Sequence, residues 1–274
     1  MRKSIGFIGG GQITRILLRG FSNRKVNFRR VVVSDANPLV FDRLKNEFSF
    51  VHADSAAVAA AQDIVFLAID QKLLMDTLGL ISNEFKSNTI VVSLLPDISM
   101  AKLALRLPDV TKMARILPTS AVYINRAYTT VAFSPDFPAS EKDDVLDLFG
   151  NLGKVIEVPE DKLQTYSTIS AVVPVYFWHQ WKELISMGTE MGLTEKETVD
   201  FLGESVLSSL DMSYRSGMPE EEVISLMPVS PVEENDSEIR GMYRRRLIDL
   251  YRKARPEVSE RAAKPGAGKI GLIT

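Results

Sequence analysis

The sequence contains no cysteine, and its positive and negative charges nearly cancel. Its 274 residues include 33 Lys and Arg against 35 Asp and Glu, and only two histidines. The lack of cysteine excludes disulfides, zinc–thiolate sites, iron–sulfur clusters and thiol catalysis. We predict no metal site. The lack of a basic surplus argues against nucleic acid as a partner, because nucleic-acid-binding domains normally carry one.

Long hydrophobic runs are also missing. No segment approaches the roughly 18 apolar residues that a membrane-spanning helix needs. The first apolar stretch, residues 5–8, is followed at once by three glycines, whereas a signal peptide needs a longer run. We therefore expect a cytoplasmic protein without a membrane segment. Hydrophobic residues make up 45% of the chain and charged residues 25%, which is typical of one or two folded domains.

The first half of the sequence alternates strand and helix patterns, and the second half is helical. Short apolar, β-branched runs predict strands at residues 4–9, 30–34, 63–69, 89–94, 112–117, 129–133 and 154–158. Helical patterns lie between them at residues 12–20, 38–48, 73–85, 98–107 and 140–150, and alone after about Asp161. This order predicts an α/β domain with a parallel sheet over residues 1–159 and an all-helical domain over 160–274.

A glycine-rich turn lies between the first strand and the first helix. Gly9-x-Gly11-x-x-Thr14 is a variant of the dinucleotide fingerprint G-x-G-x-x-G/A. Gly9 would allow the tight turn, and Gly11 would let the backbone approach a pyrophosphate. The first helical N–H groups, at Gln12 and Ile13, would bind that anion. The pattern favours a Rossmann dinucleotide-binding domain over a glycine turn in another α/β protein.

The end of the second strand carries the candidate ribose ligands. Asp35 could accept hydrogen bonds from both ribose hydroxyls, which would favour NAD. Ser34 and Asn37 could instead bind a 2′-phosphate, which would favour NADP. The cofactor is therefore NADP or NAD, and the choice between them stays open. The alternative for Asp35 is a turn residue before Pro38.

The order of these motifs resembles the pyrroline-5-carboxylate reductase family from about Ser4 to about Ala254. The matching stretches are residues 6–11, 34–38, 63–69, 114–121 and 148–153. The resemblance implies a Rossmann domain followed by a helical dimerisation domain, hence a homodimer or larger homo-oligomer. It implies an NAD(P)H-dependent reductase of a small cyclic imine, as in proline biosynthesis. It also adds Ala68 and Pro118 to the cofactor-binding residues.

The departures from the family concern the substrate. The family's Ser-Gly-Ser-Gly-Pro-Ala-Tyr corresponds to residues 170–176, where Ser170 and Tyr176 remain. The family's Ser-Pro-Gly-Gly-Thr-Thr corresponds to residues 230–235, which keep Ser230 but bring in Glu233 and Glu234. Ser170, Tyr176 and Ser230 are therefore the candidate catalytic hydroxyls. Two added carboxylates would repel a substrate carboxylate, so a cationic or uncharged imine would fit better.

Other interpretations remain open. His179 is a candidate proton donor, although an aromatic-rich helix around it is typical of a core or dimer face. Lys182 resembles the helical lysine of β-hydroxyacid dehydrogenases, without their flanking residues. One alternative function is a dehydrogenase of another small substrate, including a deazaflavin-linked one. Another is a dinucleotide-binding protein without catalysis.

Overall fold

The computed structural model describes residues 3–226 and 235–254. The chain divides into two compact units, of which the first extends to Gln164 and the second spans Thr165–Lys253. The division falls inside the helix Glu160–Ser167 (α7). Within the described ranges, no helix is long and apolar enough to cross a bilayer.

The first unit is built on an eight-stranded sheet. Its strands are β1 (Ile5–Ile8), β2 (Val31–Ser34), β3 (Val51–Ala53), β4 (Ile64–Leu67), β5 (Ile90–Ser93), β6 (Met113–Leu117), β7 (Ala127–Phe133) and β8 (Gly153–Glu157). Their order is β3-β2-β1-β4-β5-β6-β7-β8. The apolar runs of β1, β4 and β5 are fully buried, as expected for central strands covered on both faces.

Helices cover both faces of this sheet. They are α1 (Gln12–Asn23), α2 (Pro38–Glu47), α3 (Ala56–Ala60), α4 (Gln71–Ile81), α5 (Met100–Ala104) and α6 (Ala139–Gly150). Local sequence explains where several begin: the side chains of Asn37, Asp70 and Ser99 each accept a hydrogen bond from the following first turn. One core cluster includes the stacked rings of Phe7 and Phe66, whose centroids are 4.6 Å apart. A second cluster includes the buried leucines and isoleucines that pack with α4 and α5.

The predicted α/β class is confirmed, and so are all seven predicted strands. Two elements were missed, β3 and α3, because a three-residue edge strand and an alanine-rich turn carry no apolar periodicity. The expectation of a fully parallel sheet was wrong at one place, since β7 runs antiparallel to β6. The connection between them, residues 118–126, is too short for the crossover that a parallel pair requires.

The described residues of the second unit form helices joined by short turns. After a π-helical turn (Thr168–Val172) it contains α8 (Val173–Glu190), α9 (Glu195–Tyr214), α10 (Glu220–Ser225) and α11 (Asp236–Ala254). Thr194 and Glu197 form a capping box that begins α9. The unit buries few side chains, and large apolar residues such as Phe201 remain 71% exposed. So much exposed apolar surface is typical of a protein–protein interface.

Candidate cofactor-binding site

The turn after β1 requires glycine at its first position. Gly9 has a φ of +105°, a region that residues with a side chain rarely adopt. A Cβ atom placed there would lie 2.4 Å from the carbonyl oxygen of Ala68, the residue that follows β4. The N–H of Ala68 also donates to the carbonyl of Ile8, at 2.8 Å. Gly9 and Ala68 are thus packed backbone to backbone at the carboxyl edge of the sheet.

Gly11 is different, because its surroundings are open. A Cβ atom there would meet nothing within 4 Å, and its φ of −65° suits any residue. Gly11 caps the N-terminus of α1, whose first turn has neither a side-chain cap nor an acidic residue. Gln12 is exposed and Ile13 is half-buried in that turn. The free space and the helix N-terminus suit an anionic group such as a pyrophosphate.

Thr14 stands where the dinucleotide fingerprint has glycine or alanine, and its contacts show why a larger side chain fits there. Its side chain is buried, and its hydroxyl donates to the carbonyl of Gly9 at 2.6 Å. The helix therefore tolerates a side chain at the third position because the hydroxyl satisfies a carbonyl of the turn. This hydrogen bond could not be predicted from the sequence pattern.

Asp35 directly follows β2 and accepts a hydrogen bond from the glycine-rich turn. Its Oδ2 accepts from the N–H of Gly10 and its Oδ1 from the N–H of Asn37, both at 2.8 Å. The side chain of Asn37 in turn caps α2, and the carbonyl of Ser34 accepts from the N–H of Gly9 at 2.8 Å. The three candidate ribose ligands therefore adjoin the turn. An exposed carboxylate keeps further lone pairs, so Asp35 still fits a ribose.

The other cofactor candidates lie along the same edge of the sheet. β1 is the strand at which the order reverses, and ligands of such sheets bind beyond the carboxyl ends of the strands there. A cavity of about 410 Å³ follows β4 and β5; it is lined by Ile69, Asp70, Gln71, Lys72, Leu95, Pro96 and Asp97. Pro118 directly follows β6 and is half-buried. These residues therefore share the edge of the sheet at which a dinucleotide binds in such folds.

A larger cavity, about 680 Å³, lies at the opposite, amino edge of the sheet. Arg29 and Arg30 line this cavity. Arg29 forms an ion pair with Asp63, with 2.9 Å between Nη2 of Arg29 and Oδ2 of Asp63. Burial raises the pKa of Asp63, but hydrogen bonds from Ser4 and the charge of Arg29 outweigh it and lower the pKa overall. The Rossmann arrangement places a dinucleotide at the other edge, so this cavity is not the cofactor site.

An ion-pair cluster fixes α1 behind the turn. Arg15 and Arg19 both contact Glu47 at the end of α2, with N–O distances of 2.6 Å. Burial raises the pKa of Glu47, but the two guanidinium groups outweigh this and lower the pKa overall. These ion pairs connect α1, which Gly11 caps, to α2, which begins shortly after Asp35.

Two of the three candidate catalytic hydroxyls lie in the helical unit. Ser170 is half-buried in the π-helical turn, four residues before Pro174, which has no N–H to offer the Ser170 carbonyl. Tyr176 lies on α8, with its ring edge-on to Tyr243 at 5.6 Å between centroids. Ser230 lies outside the described residues, as do Glu233 and Glu234.

His179 and Lys182 are both exposed on α8. They line a separate cavity of about 540 Å³ within the helical unit. Across residues 3–226 and 235–254, no group of His, Asp and Glu is arranged to hold a metal ion.

The sequence interpretation placed Arg115 in the matching stretch 114–121 but gave this residue no role of its own, and its environment proves unusual. Arg115 is only 1% exposed although it carries a charge, and it lies in the middle of the apolar strand β6. A charged residue inside the run Met113–Leu117 was the available signal.

Comparisons with known proteins agree with this fold. The family model described as "NADP oxidoreductase coenzyme F420-dependent" matches residues 4–97. The pyrroline-5-carboxylate reductase of Staphylococcus saprophyticus is 23% identical over 227 residues, which cover 79% of this chain and 81% of that protein.

Two solved structures are similar in fold. Plasmodium falciparum pyrroline carboxylate reductase, solved with NADP bound, has a TM-score of 0.72 and 18% identity, covering 92% of this chain and 95% of its own. The 1-pyrroline-5-carboxylate reductase of Streptococcus pyogenes has a TM-score of 0.71 and 19% identity, covering 92% and 96%. The chain is thus similar to pyrroline-5-carboxylate reductases in sequence, at 23% identity, and in fold.

Proposed function

We propose that the chain is an NAD(P)H-dependent reductase that transfers hydride to the C=N bond of a small cyclic imine. The observation that carries this proposal is the turn from β1 to α1. It combines a left-handed Gly9 packed against Ala68 with an open Gly11 at an uncapped helix N-terminus. The relationship to pyrroline-5-carboxylate reductases supports the reaction type.

The cofactor supplies the hydride when it is bound. Gly11 and the first N–H groups of α1, at Gln12 and Ile13, would hold the pyrophosphate. The ribose ligands would be Ser34, Asp35 and Asn37, and the nicotinamide side would be formed by Ala68 and Pro118. A protonated C=N already carries the positive charge that accepts hydride, so orientation matters more than a strong general acid.

The test of this function measures the oxidation of NADH and of NADPH in the presence of a series of cyclic imines. We expect turnover, with kcat/KM at least about 10-fold higher for 1-pyrroline than for its 5-carboxylate, because Glu233 and Glu234 replace neutral donors. The matched control is the E233Q/E234Q double variant, in which the preference should shift back towards the carboxylate. Turnover of no imine would contradict the proposed reaction, and a strong preference for the carboxylate would contradict the role of the two glutamates.

We further propose that the hydroxyls of Ser170, Tyr176 and Ser230 bind the substrate. For Tyr176→Phe we expect kcat/KM for the imine to fall by about 10- to 100-fold, the cost of one lost hydrogen bond in a closed site. The dissociation constant of NAD(P)H should stay unchanged. Tyr214→Phe is the control, since Tyr214 is 83% exposed on α9 of the same unit. Equal activity of the two variants would remove Tyr176 from the site.

We propose residues 1–159 as the cofactor domain and residues 160–274 as the dimerisation domain of a cytoplasmic homodimer. The exposed apolar side chains of α8 and α9 support a second subunit as partner. The family-model match supports one alternative, a deazaflavin-linked NADP reductase. Reduction of NADP by reduced deazaflavin, with every imine inert, would favour that alternative. Tight NAD(P)H binding with no turnover in either assay would favour a protein without catalysis.

A further inference from the structure

Arg115 uses two guanidinium nitrogens to contact the loop that follows β5 and the third to contact α7. Its Nε donates to the carbonyl of Leu95 at 3.3 Å, and its Nη2 donates to the carbonyl of Pro96. Its Nη1 lies 3.2 Å from Oε1 of Glu160, the first residue of α7. A planar guanidinium suits this task, because its donors form a rigid fork.

Glu160 completes the arrangement on the other side of the loop. The same Oε1 atom accepts from the N–H of Met100, the first residue of α5, at 2.8 Å. Arg115 and Glu160 therefore hold the start and the end of the segment formed by residues 95–100. Burial lowers the pKa of Arg115, and the carboxylates of Glu160 and Asp97 offset this only in part. Oδ1 of Asp97 is buried and accepts no hydrogen bond from a described residue.

The held segment forms one wall of the cavity at the carboxyl ends of β4 and β5. Leu95, Pro96 and Asp97 line that cavity of about 410 Å³. We propose that Arg115 is a positioning residue, which fixes residues 95–100 as the wall on the nicotinamide side of the cofactor site. The inference rests on the proposed function, because it assumes that a dinucleotide occupies this edge of the sheet.

Stability alone does not explain a charge at this position. The neighbouring residues of β6, Ala114 and Ile116, are apolar and fully buried. Arg115 is buried while the side chain of Glu160 is 28% exposed, and replacing an ion pair removed from water by apolar residues is often neutral or stabilising, so the pair is weak evidence for a stabilising role. What an apolar side chain cannot do is hold two carbonyl groups and a carboxylate in fixed positions.

The test compares Arg115→Met and Arg115→Lys with the control Arg29→Met. Arg29 also donates to a carboxylate, that of Asp63, but at the opposite edge of the sheet. The first readout is amide hydrogen exchange without cofactor. In Arg115→Met we expect the amides of Leu95 and Met100, which donate to Ser93 and Glu160, to exchange at least about 10-fold faster, while those of β1 and β4 stay unchanged. Arg115→Lys, which keeps the charge, should lie between the wild type and Arg115→Met.

The second readout separates binding from turnover. For Arg115→Met we expect kcat with an imine to fall about 10- to 100-fold, because a misplaced wall misplaces the nicotinamide. The dissociation constant of NAD(P)H should change less than about 3-fold, since the pyrophosphate and ribose ligands are untouched. The fluorescence of bound NAD(P)H should shift, which reports the nicotinamide environment without turnover.

Three results would overturn the inference. One is amide exchange that becomes faster evenly over the whole sheet. Another is an equal loss of kcat in Arg29→Met, when each variant is assayed at the same number of degrees below its own unfolding temperature. The third is unchanged exchange and unchanged fluorescence in Arg115→Met. If this variant does not fold, Arg115→Lys is judged by the same criteria. If the wild type reduces no imine, the proposed function fails, and exchange and NAD(P)H fluorescence still decide the role of Arg115.

Discussion

Replacing Gly11 by leucine is expected to abolish NAD(P)H binding while the fold persists. A side chain at this position enters open space and meets no atom of the protein within 4 Å of its Cβ. The same space is where a pyrophosphate would approach the first turn of α1. We expect the dissociation constant of NAD(P)H to rise by at least about 100-fold, or more than about 2.7 kcal/mol. Isothermal titration measures it, and thermal unfolding reports on the fold.

The control for this experiment is Gly79→Leu. Gly79 also has nothing within 4 Å of a built Cβ, but it lies near the end of α4. Both variants should unfold within a few degrees of the wild type, since an N-cap change at Gly11 costs about 1 kcal/mol and replacing a helical glycine at position 79 changes helix propensity by about 1 kcal/mol or less. Undiminished affinity in Gly11→Leu would show that the turn is not the pyrophosphate site.

Replacing Gly9 by alanine is expected to damage the fold itself. The added carbon would lie 2.4 Å from the carbonyl oxygen of Ala68, at a backbone φ of +105°. Neither backbone can retreat, because β1 and β4 pair directly from Ile5 to Ile8. We expect a loss of roughly 3 kcal/mol or more in the free energy of unfolding. Denaturant titration followed by circular dichroism measures the loss.

Gly11→Ala is the matched control, because it adds the same single carbon two residues away. Its free energy of unfolding should stay within about 1 kcal/mol of the wild type. If Gly9→Ala were equally stable, the packing of Gly9 against Ala68 would not be essential to the turn. We therefore expect the two glycines of the fingerprint to have separate roles, Gly9 in folding and Gly11 in cofactor binding.

The sequence predicted the parts of the fold that follow from apolar patterning. Strands such as 63–69 and 89–94 were visible because a central strand covered on both faces is apolar throughout. The strand β3 escaped because only Val51 of its three residues is buried. The direction of β7 depends on the length of the loop before it, which strand patterns do not encode.

The candidate site was predictable in position but not in its internal bonds. The glycines and Asp35 were found because a known spacing links them. The bond from the N–H of Gly10 to Asp35 spans 25 positions, and the bonds from Arg115 to Leu95 and Pro96 span about 20. No local sequence pattern predicts these hydrogen bonds, because their partners come together only when neighbouring strands pair in the sheet.

The hydrogen bond between Asp35 and Gly10 also bears on how cofactor preference could change. The carboxylate that we propose as a ribose ligand also accepts the hydrogen bond from the N–H of Gly10 in the glycine-rich turn. A substitution that removes its charge to admit a 2′-phosphate would also remove an acceptor from the turn. If Asp35 binds the ribose as proposed, cofactor selectivity and turn geometry are coupled through one side chain, and a change of cofactor preference has to preserve an acceptor for the N–H of Gly10. An amide at position 35 would keep an acceptor for the N–H of Gly10, but its NH2 would face the N–H of Asn37, whereas a small apolar residue would remove both acceptors.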